Sequence, residues 1–155
     1  MKEYLDEAKE ELKRVDHIIY VSLKYTRTVD IIRNAIIRLV SAYDYIIEAL
    51  FIYNKNQKKI EHIPKSPKEK LDALVRMYPE DKKLVRYLAL YSFLRELIKA
   101  QFTRREEYRR HVTMISQLKN QTAETDIDVL EDNYDKEAKE FLEYAELLMD
   151  LRPHD

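Results

Sequence analysis

The stretch that decides the fold is VDIIRNAIIRLVSAYDYIIEALFIY, residues 29–53, the most apolar run of the chain. Its apolar side chains recur at steps of three and four, which predicts one long amphipathic helix. The predicted stripe consists of Ile32, Ala35, Leu39, Tyr43, Ile46, Leu50 and Tyr53. Arg33, Arg38, Asp44 and Glu48 interrupt the run, so the stretch is a poor membrane span and a good buried helix.

Amphipathic patterns on both sides of this stretch predict further helices. A first helix is predicted over residues 5–26, and a short one begins at the sequence Ser66-Pro67-Lys68-Glu69. That order places Ser at the N-cap, Pro at the first helical position and Glu at the third, a common helix start. From Glu80 the helical pattern resumes and runs on, with or without a break near Thr103, towards residue 118.

The end of the chain is predicted to form a loop and a last helix. Residues 119–127 are rich in Asn, Thr and Asp and read as a loop. An acidic helix follows over residues 127–151 and stops before Pro153. Because no useful strand-like alternation was found, we predict an all-α, up-and-down helical bundle of four to six helices. It forms a single domain, residues 1–155, with residues 1–118 as its core.

The composition excludes several classes of site. The chain has no glycine, and phosphate-binding loops, dinucleotide motifs and nucleophile elbows all require it. It also has no cysteine, which excludes disulfides and thiolate metal sites and is typical of a reducing compartment. We therefore expect a cytoplasmic protein that uses no cofactor and contacts no membrane.

Charge is distributed unevenly along the chain. Residues 124–155 hold twelve Asp and Glu against three Lys and Arg, whereas residues 82–110 hold nine Lys and Arg against three Asp and Glu. A further six lysines lie between Lys55 and Lys70. Two interpretations are open: the basic region binds phosphates, or the acidic last helix packs across it and cancels its field.

One segment, FTRREEYRRHVTMI at residues 102–115, carries the only constellation that predicts chemistry. On a helix, Arg104, Tyr108 and His111 would share one face. A histidine titrates near neutral pH and takes the proton from a ribose 2′-hydroxyl, while an arginine holds the phosphate and offsets its developing charge. The catalytic candidates for metal-independent RNA cleavage are therefore Arg104, Arg105 and His111.

Three neighbouring residues are predicted to bind the substrate: Tyr108 by stacking on a base or bonding a phosphate oxygen, and Arg109 and Arg110 by their charge. A less specific interpretation is also open. His111 is then a histidine at the edge of the core, and Tyr108 is a packing residue. Glu107 and His111 are spaced to share a metal ion, but no second pair accompanies them, so no metal site is predicted.

The segment Arg105-Glu106-Glu107-Tyr108-Arg109-Arg110-His111 resembles the Arg-x4–6-His motif of the HEPN superfamily. Two long helices, a short helix and a motif helix, over residues 1–118, also resemble the order of elements in that family. The family tends to have a small polar residue after the arginine, where this chain has Glu106.

The resemblance implies a homodimer in which two motifs face each other. Active members are RNases, often toxins or defence proteins, whereas others are inactive binding modules partnered with a small nucleotidyltransferase. The expected partners are thus a second copy of the chain, RNA, and a nucleotidyltransferase-like antitoxin. The alternative function is a non-catalytic module whose long helices and acidic C-terminal helix bind another protein.

Overall fold

Helix α3, Val29–Asn56, carries the apolar stretch through the centre of the molecule. The computed structural model describes residues 1–152; Pro153, the predicted stop of the last helix, lies outside them. Thr28 caps α3, since its hydroxyl oxygen accepts the Ile31 N–H at 3.4 Å. All but the last residue of the predicted stripe are fully buried, so the prediction of a buried helix is confirmed.

The other helices pack either on α3 or on the helices next to it. The helical elements are α1 (Lys2–His17), a π-helical turn π1 (Ile18–Ser22), α2 (Leu23–Tyr25), α3 (Val29–Asn56), α4 (Pro67–Met77), α5 (Lys82–Lys99), α6 (Ile127–Val129), a second π-helical turn π2 (Leu130–Asp135) and α7 (Lys136–Leu148). Helices α1, α5 and α7 all pack against α3. The predicted start of α4 is confirmed, because the Ser66 hydroxyl accepts the Glu69 N–H at 3.2 Å.

An aromatic cluster fixes how α5 and α7 sit on α3. The ring of Tyr43, which is fully buried, stacks on Phe141 of α7 at 5.0 Å and on Tyr91 of α5 at 5.6 Å between ring centroids. Burial raises the pKa of the Tyr43 hydroxyl above its ordinary value, since the phenolate would lose its hydration. Aromatic pairs of this kind add to the stabilisation that burial alone supplies.

Residues 102–125 form a three-stranded antiparallel sheet, and the prediction of a helix to residue 118 followed by a loop is wrong. The strands are β1 (Phe102–Arg105), β2 (Thr113–Gln117) and β3 (Thr122–Thr125), with β2 in the middle. Ile115 of β2 lies opposite Thr103 of β1 and Glu124 of β3. The helix-rich bundle is thus confirmed, whereas the all-α class is wrong over this segment.

The sheet forms because residues 112–117 also satisfy a two-residue period. Val112, Met114 and Ser116 are fully buried, which places alternate side chains on the face that contacts the core; Thr113, on the opposite face, is also buried. The same residues fit a helical stripe almost as well, and short apolar runs do not distinguish the two periods. The β-branched residues Thr113 and Ile115 then favour the strand.

Left-handed residues take the place of glycine where helices end. Lys58 (φ 60°) follows α3, Glu80 (φ 63°) lies between α4 and α5, and Asp150 (φ 58°) follows α7. This conformation costs a side-chain-bearing residue about 1 kcal/mol, because its Cβ crowds the backbone. The glycine-free chain therefore reverses direction at these points at a conformational cost.

One hydrogen bond joins the two π-helical turns, and a polar cluster of residues from α1, π2 and α7 lies near it. The Tyr20 hydroxyl of π1 donates to a carboxylate oxygen of Glu131 in π2 at 2.8 Å. Nearby, Lys139 Nζ lies 2.8 Å from an Asp16 oxygen and 3.0 Å from an Asp135 oxygen. Asp135 is 2% exposed, and burial together with the neighbouring Asp16 raises its pKa to about 7, although Lys139 opposes the shift.

This buried carboxyl group should make the stability depend on pH. Because its pKa is raised in the folded protein, the folded state keeps a proton that the unfolded state has released. Its contribution to the free energy of unfolding is complete at about pH 4 and is lost as the pH rises to about 7. In Asp135→Asn we expect the free energy of unfolding to depend less on pH. Its difference from the wild type should shift in favour of the variant by an amount on the order of 1 kcal/mol between pH 5 and pH 8.

Urea unfolding of both proteins at pH 5, 6, 7 and 8 measures this effect. Asp132→Asn is the matched control, because Asp132 lies exposed on the same π-helical turn. The control should keep the wild-type profile, and an equally steep profile in Asp135→Asn would contradict the expectation.

Candidate nucleic-acid interface

The connection between β1 and β2, residues 106–112, is anchored to the start of α3. The N–H of Tyr108 donates to the carbonyl oxygen of Arg27 at 2.6 Å. A carboxylate oxygen of Glu107 accepts the Val29 N–H, the first of α3, at 3.0 Å. A carboxylate at a helix N-terminus satisfies an unpaired donor and interacts favourably with the helix dipole. These two bonds therefore fix the loop against the central helix.

The loop backbone is strained at two positions. Glu106 and Tyr108 adopt φ angles of 53° and 68°, which are unfavourable for residues that carry a side chain. The bonds from Arg109 N to Glu106 O at 3.2 Å and from Val112 N to Arg109 O at 3.1 Å close successive turns. Strain of this kind is retained where the surrounding structure enforces it, and it clusters at functional sites.

The two arginines that begin the motif are both engaged by acids. Arg104 lies 3.0 Å from Asp30 and 3.3 Å from Glu107, whereas Arg105 forms an ion pair with Glu124 of β3. Successive residues of a strand point to opposite faces of the sheet. The single helix face predicted to hold Arg104, Tyr108 and His111 is therefore not formed, since Arg104 lies on a strand and the other two in a loop.

His111 instead lies in the wall of a cavity of about 220 Å³ beside this loop. Its walls come from the end of the first helical stretch, the 106–112 loop and the start of α6. The lining residues are Ile19, Leu23, Lys24, Arg27, Arg110, His111, Asp126, Ile127 and Asp128. The structure thus places His111 with Arg110 and Arg27 in one concave site.

Two exposed tyrosines and several cations lie on the segments that line this cavity. Tyr25 is 84% exposed and Tyr108 is 78% exposed, which is unusual for side chains with so much apolar surface. Within residues 1–152, the side chains of Lys24, Arg109 and Arg110 have no hydrogen-bond or ion-pair partner. We call this surface the basic end; it comprises Lys24, Tyr25, Arg27, Tyr108, Arg109, Arg110 and His111.

None of the known protein-family models matches the chain, and no curated protein or solved structure proved similar to it. The interpretation of the basic end therefore depends on its own geometry and charge.

Helix α7 pairs its acids with cations of α1 and α5, whereas Asp126 and Asp128, from the start of the acidic segment, line the cavity of the basic end. Arg86 of α5 lies 3.4 Å from Glu137 and 3.6 Å from Glu140, and Lys9 of α1 lies 3.7 Å from Glu146. The lysine-rich residues 55–70 begin in the last turn of α3, which spans roughly 40 Å over its length, and Lys70 returns to pair with Glu48 of that helix at 3.1 Å. The basic end and the lysine-rich loop are therefore separate surfaces.

Several residues of the cavity were not predicted from the sequence. Lys24 and Arg27 come from the end of the first helical stretch, about 80 positions before the motif. Asp126 and Asp128 fall in a segment predicted as loop and helix start. The sequence did contain one signal for this surface. Tyr25 lies off the apolar stripe of its helix, and Lys24 and Arg27 lie on either side of it along the chain.

Neither a clustered metal site nor a membrane-spanning helix is present among residues 1–152. Residues 1–152 contain no group of three or more His, Asp or Glu side chains placed to hold a metal ion. Over the same residues, no helix combines the length and apolar character needed to cross a membrane.

The backbone strain at Tyr108 can be measured by comparing its glycine variant with the glycine variant of Tyr25, an exposed tyrosine in a helix. We expect Tyr108→Gly to raise the free energy of unfolding by up to about 1 kcal/mol, because glycine adopts the left-handed backbone without crowding. The N–H of residue 108 that bonds Arg27 is retained in this variant. Tyr25→Gly should instead lower stability by about 0.5 kcal/mol, since Tyr25 is helical. Urea denaturation measures both, and destabilisation by Tyr108→Gly would contradict the strain.

Proposed function

We propose that the protein binds single-stranded RNA at the basic end and cleaves it without a metal ion. The observation that carries the proposal is the combination of unpaired cations, two highly exposed tyrosines and a histidine around one cavity. Each of these features fits one part of an RNA chain: the phosphates, the bases and the ribose hydroxyl.

The cations support binding to the phosphate backbone. Lys24, Arg109 and Arg110 have no acidic partner within residues 1–152, so their charge is available to a ligand. Cations that replace the counterions of a nucleic acid produce an affinity that falls steeply with salt. Arg104 and Arg105, which already pair with carboxylates, contribute less to this attraction.

The tyrosines favour a single strand over a duplex. The bases of an unpaired strand are free to stack on aromatic side chains, whereas those of a duplex are already stacked on each other. Tyr25 adjoins Lys24 of the cavity wall, and Tyr108 lies two residues from Arg110. Both tyrosines therefore lie on the chain segments that supply the cations of the cavity wall.

His111 provides the group for cleavage. Its imidazole removes the proton of a ribose 2′-hydroxyl, the 2′ oxygen attacks the adjacent phosphorus, and the bond to the 5′ oxygen breaks. The departing 5′ oxygen takes a proton from solvent, and a 2′,3′-cyclic phosphate remains. Arg110 and Arg27, in the walls of the same cavity, offset the negative charge that builds on the phosphate.

The resemblance to the HEPN superfamily stays a prediction that rests on the spacing from Arg105 to His111, because the expected motif helix is replaced by strands and a loop. The homodimer and the nucleotidyltransferase-like partner that it implies stay predictions as well. Light scattering of the purified protein tests for the homodimer, and co-purification tests for the nucleotidyltransferase-like partner.

The binding step is tested with a fluorescent, uncleavable 2′-O-methyl U9 oligonucleotide at two salt concentrations. We expect Arg110→Ala to weaken binding and to reduce the slope of log affinity against log salt by about 1, because one phosphate contact is lost. Lys59→Ala is the matched control, since it removes one exposed cation at the far end of α3. Equal losses in the two variants would place binding elsewhere and contradict the proposed surface.

The cleavage step is tested by incubating RNA with the protein in EDTA. His111→Ala should reduce the rate by a factor of about 10² or more, because the proton acceptor is removed. Arg110→Ala should reduce it more than Arg105→Ala, since Arg105 is occupied by Glu124. Intact RNA and no binding by the wild type would contradict the proposal and favour the non-catalytic protein-interaction module instead.

A further inference from the structure

The cavity of the basic end contains two carboxylates that binding to phosphate does not explain. Asp126 and Asp128 line the same walls as Arg110 and His111. A carboxylate repels a phosphate, whereas it accepts hydrogen bonds from a ligand that brings donors. The donors of a bound RNA are the ribose 2′-hydroxyls, which the proposed reaction assigns to His111, and the N–H groups of the nucleobases.

The two carboxylates are not equally free. An oxygen of Asp126 accepts the Val129 N–H at 2.8 Å and caps α6, so this side chain is held in place by the fold. Asp128 is exposed and has no partner within residues 1–152. Both of its oxygens are therefore available to a ligand in the cavity.

The cavity also has the walls and the size that a single base requires. Leu23, Ile19 and Ile127 contribute apolar surface to it, against which the faces of an aromatic ring pack favourably. Its volume of about 220 Å³ equals that of roughly seven water molecules, which is on the scale of one nucleobase. The cations at the same site then hold the adjoining phosphate.

We propose that this cavity recognises one guanine base of a single-stranded RNA, with the Asp128 carboxylate accepting from the guanine N1–H and N2–H. Guanine alone presents two adjacent donors on its Watson–Crick edge, which match the two oxygens of one carboxylate. Adenine and cytosine place a ring-nitrogen acceptor beside their amino group, and uracil flanks its single N–H with two carbonyls. Each of those acceptors would face the carboxylate and repel it.

This inference rests on the proposed RNA binding, and the test separates the two. Affinities are measured by fluorescence anisotropy for four 2′-O-methyl oligonucleotides that the proposed reaction cannot cleave: U9, U4GU4, U4AU4 and U4IU4, where I is inosine. The wild type should bind U4GU4 about tenfold more tightly than U9 and U4AU4. Inosine, which keeps N1–H and lacks the N2 amino group, should fall between guanosine and adenosine.

Asp128→Asn removes the paired acceptors and should abolish the preference for guanine, while the affinity for U9 is unchanged or higher because a negative charge is lost. Asp132→Asn is the matched control, since it makes the same change at an exposed acid outside the cavity, and it should keep the preference. Circular dichroism checks that both variants fold.

Equal affinity of the wild type for all four oligonucleotides would overturn the guanine site and leave the proposed RNA binding standing. A preference for guanine that persists in Asp128→Asn would overturn it too. Absence of binding to every oligonucleotide would overturn the proposed function and the guanine site together.

Discussion

The burial of α3 is the constraint on which the remaining structure depends. Its apolar side chains contact α1, α5 and α7 along most of its 28 residues, and each fully buried large side chain contributes on the order of 2 kcal/mol. A helix buried in this way cannot rotate or slide without exposing core residues. The first turn of α3 is therefore held in one position, and the β1–β2 loop is attached to that turn.

Glu107 links the first turn of α3 to the segment that carries the candidate site. One of its oxygens accepts the Val29 N–H and the other lies near Arg104, so a single carboxylate joins the sheet to the central helix. The adjacent bond from Tyr108 to Arg27 holds the loop in its left-handed conformation. As a result His111 lies in a cavity between the first helical stretch and α6, far along the sequence from the residues that face it.

Much of the fold could be predicted from the sequence, because helical periodicity and capping are local. The stripe of α3 and the Ser66 cap were readable from residue spacing alone. The sheet was not, since Val112, Met114 and Ser116 satisfy the strand period in a run that also fits a helix. The antiparallel partners in residues 102–105 and 122–125 decide between the two periods, and pairing between distant strands is a tertiary interaction.

The sequence by itself determined that the protein would be a helix-rich bundle around the 29–53 stretch, with a basic middle and an acidic end. It also led to the prediction that the segment around His111 carries the chemistry, which stays a prediction. Only the tertiary structure decided which charges remain available: Arg105 is paired with an acid from another strand, α7 neutralises cations of α1 and α5, and Arg110 has no partner among residues 1–152. The physical reason is that periodicity depends on neighbours along the chain, whereas pairing of charges depends on neighbours in space.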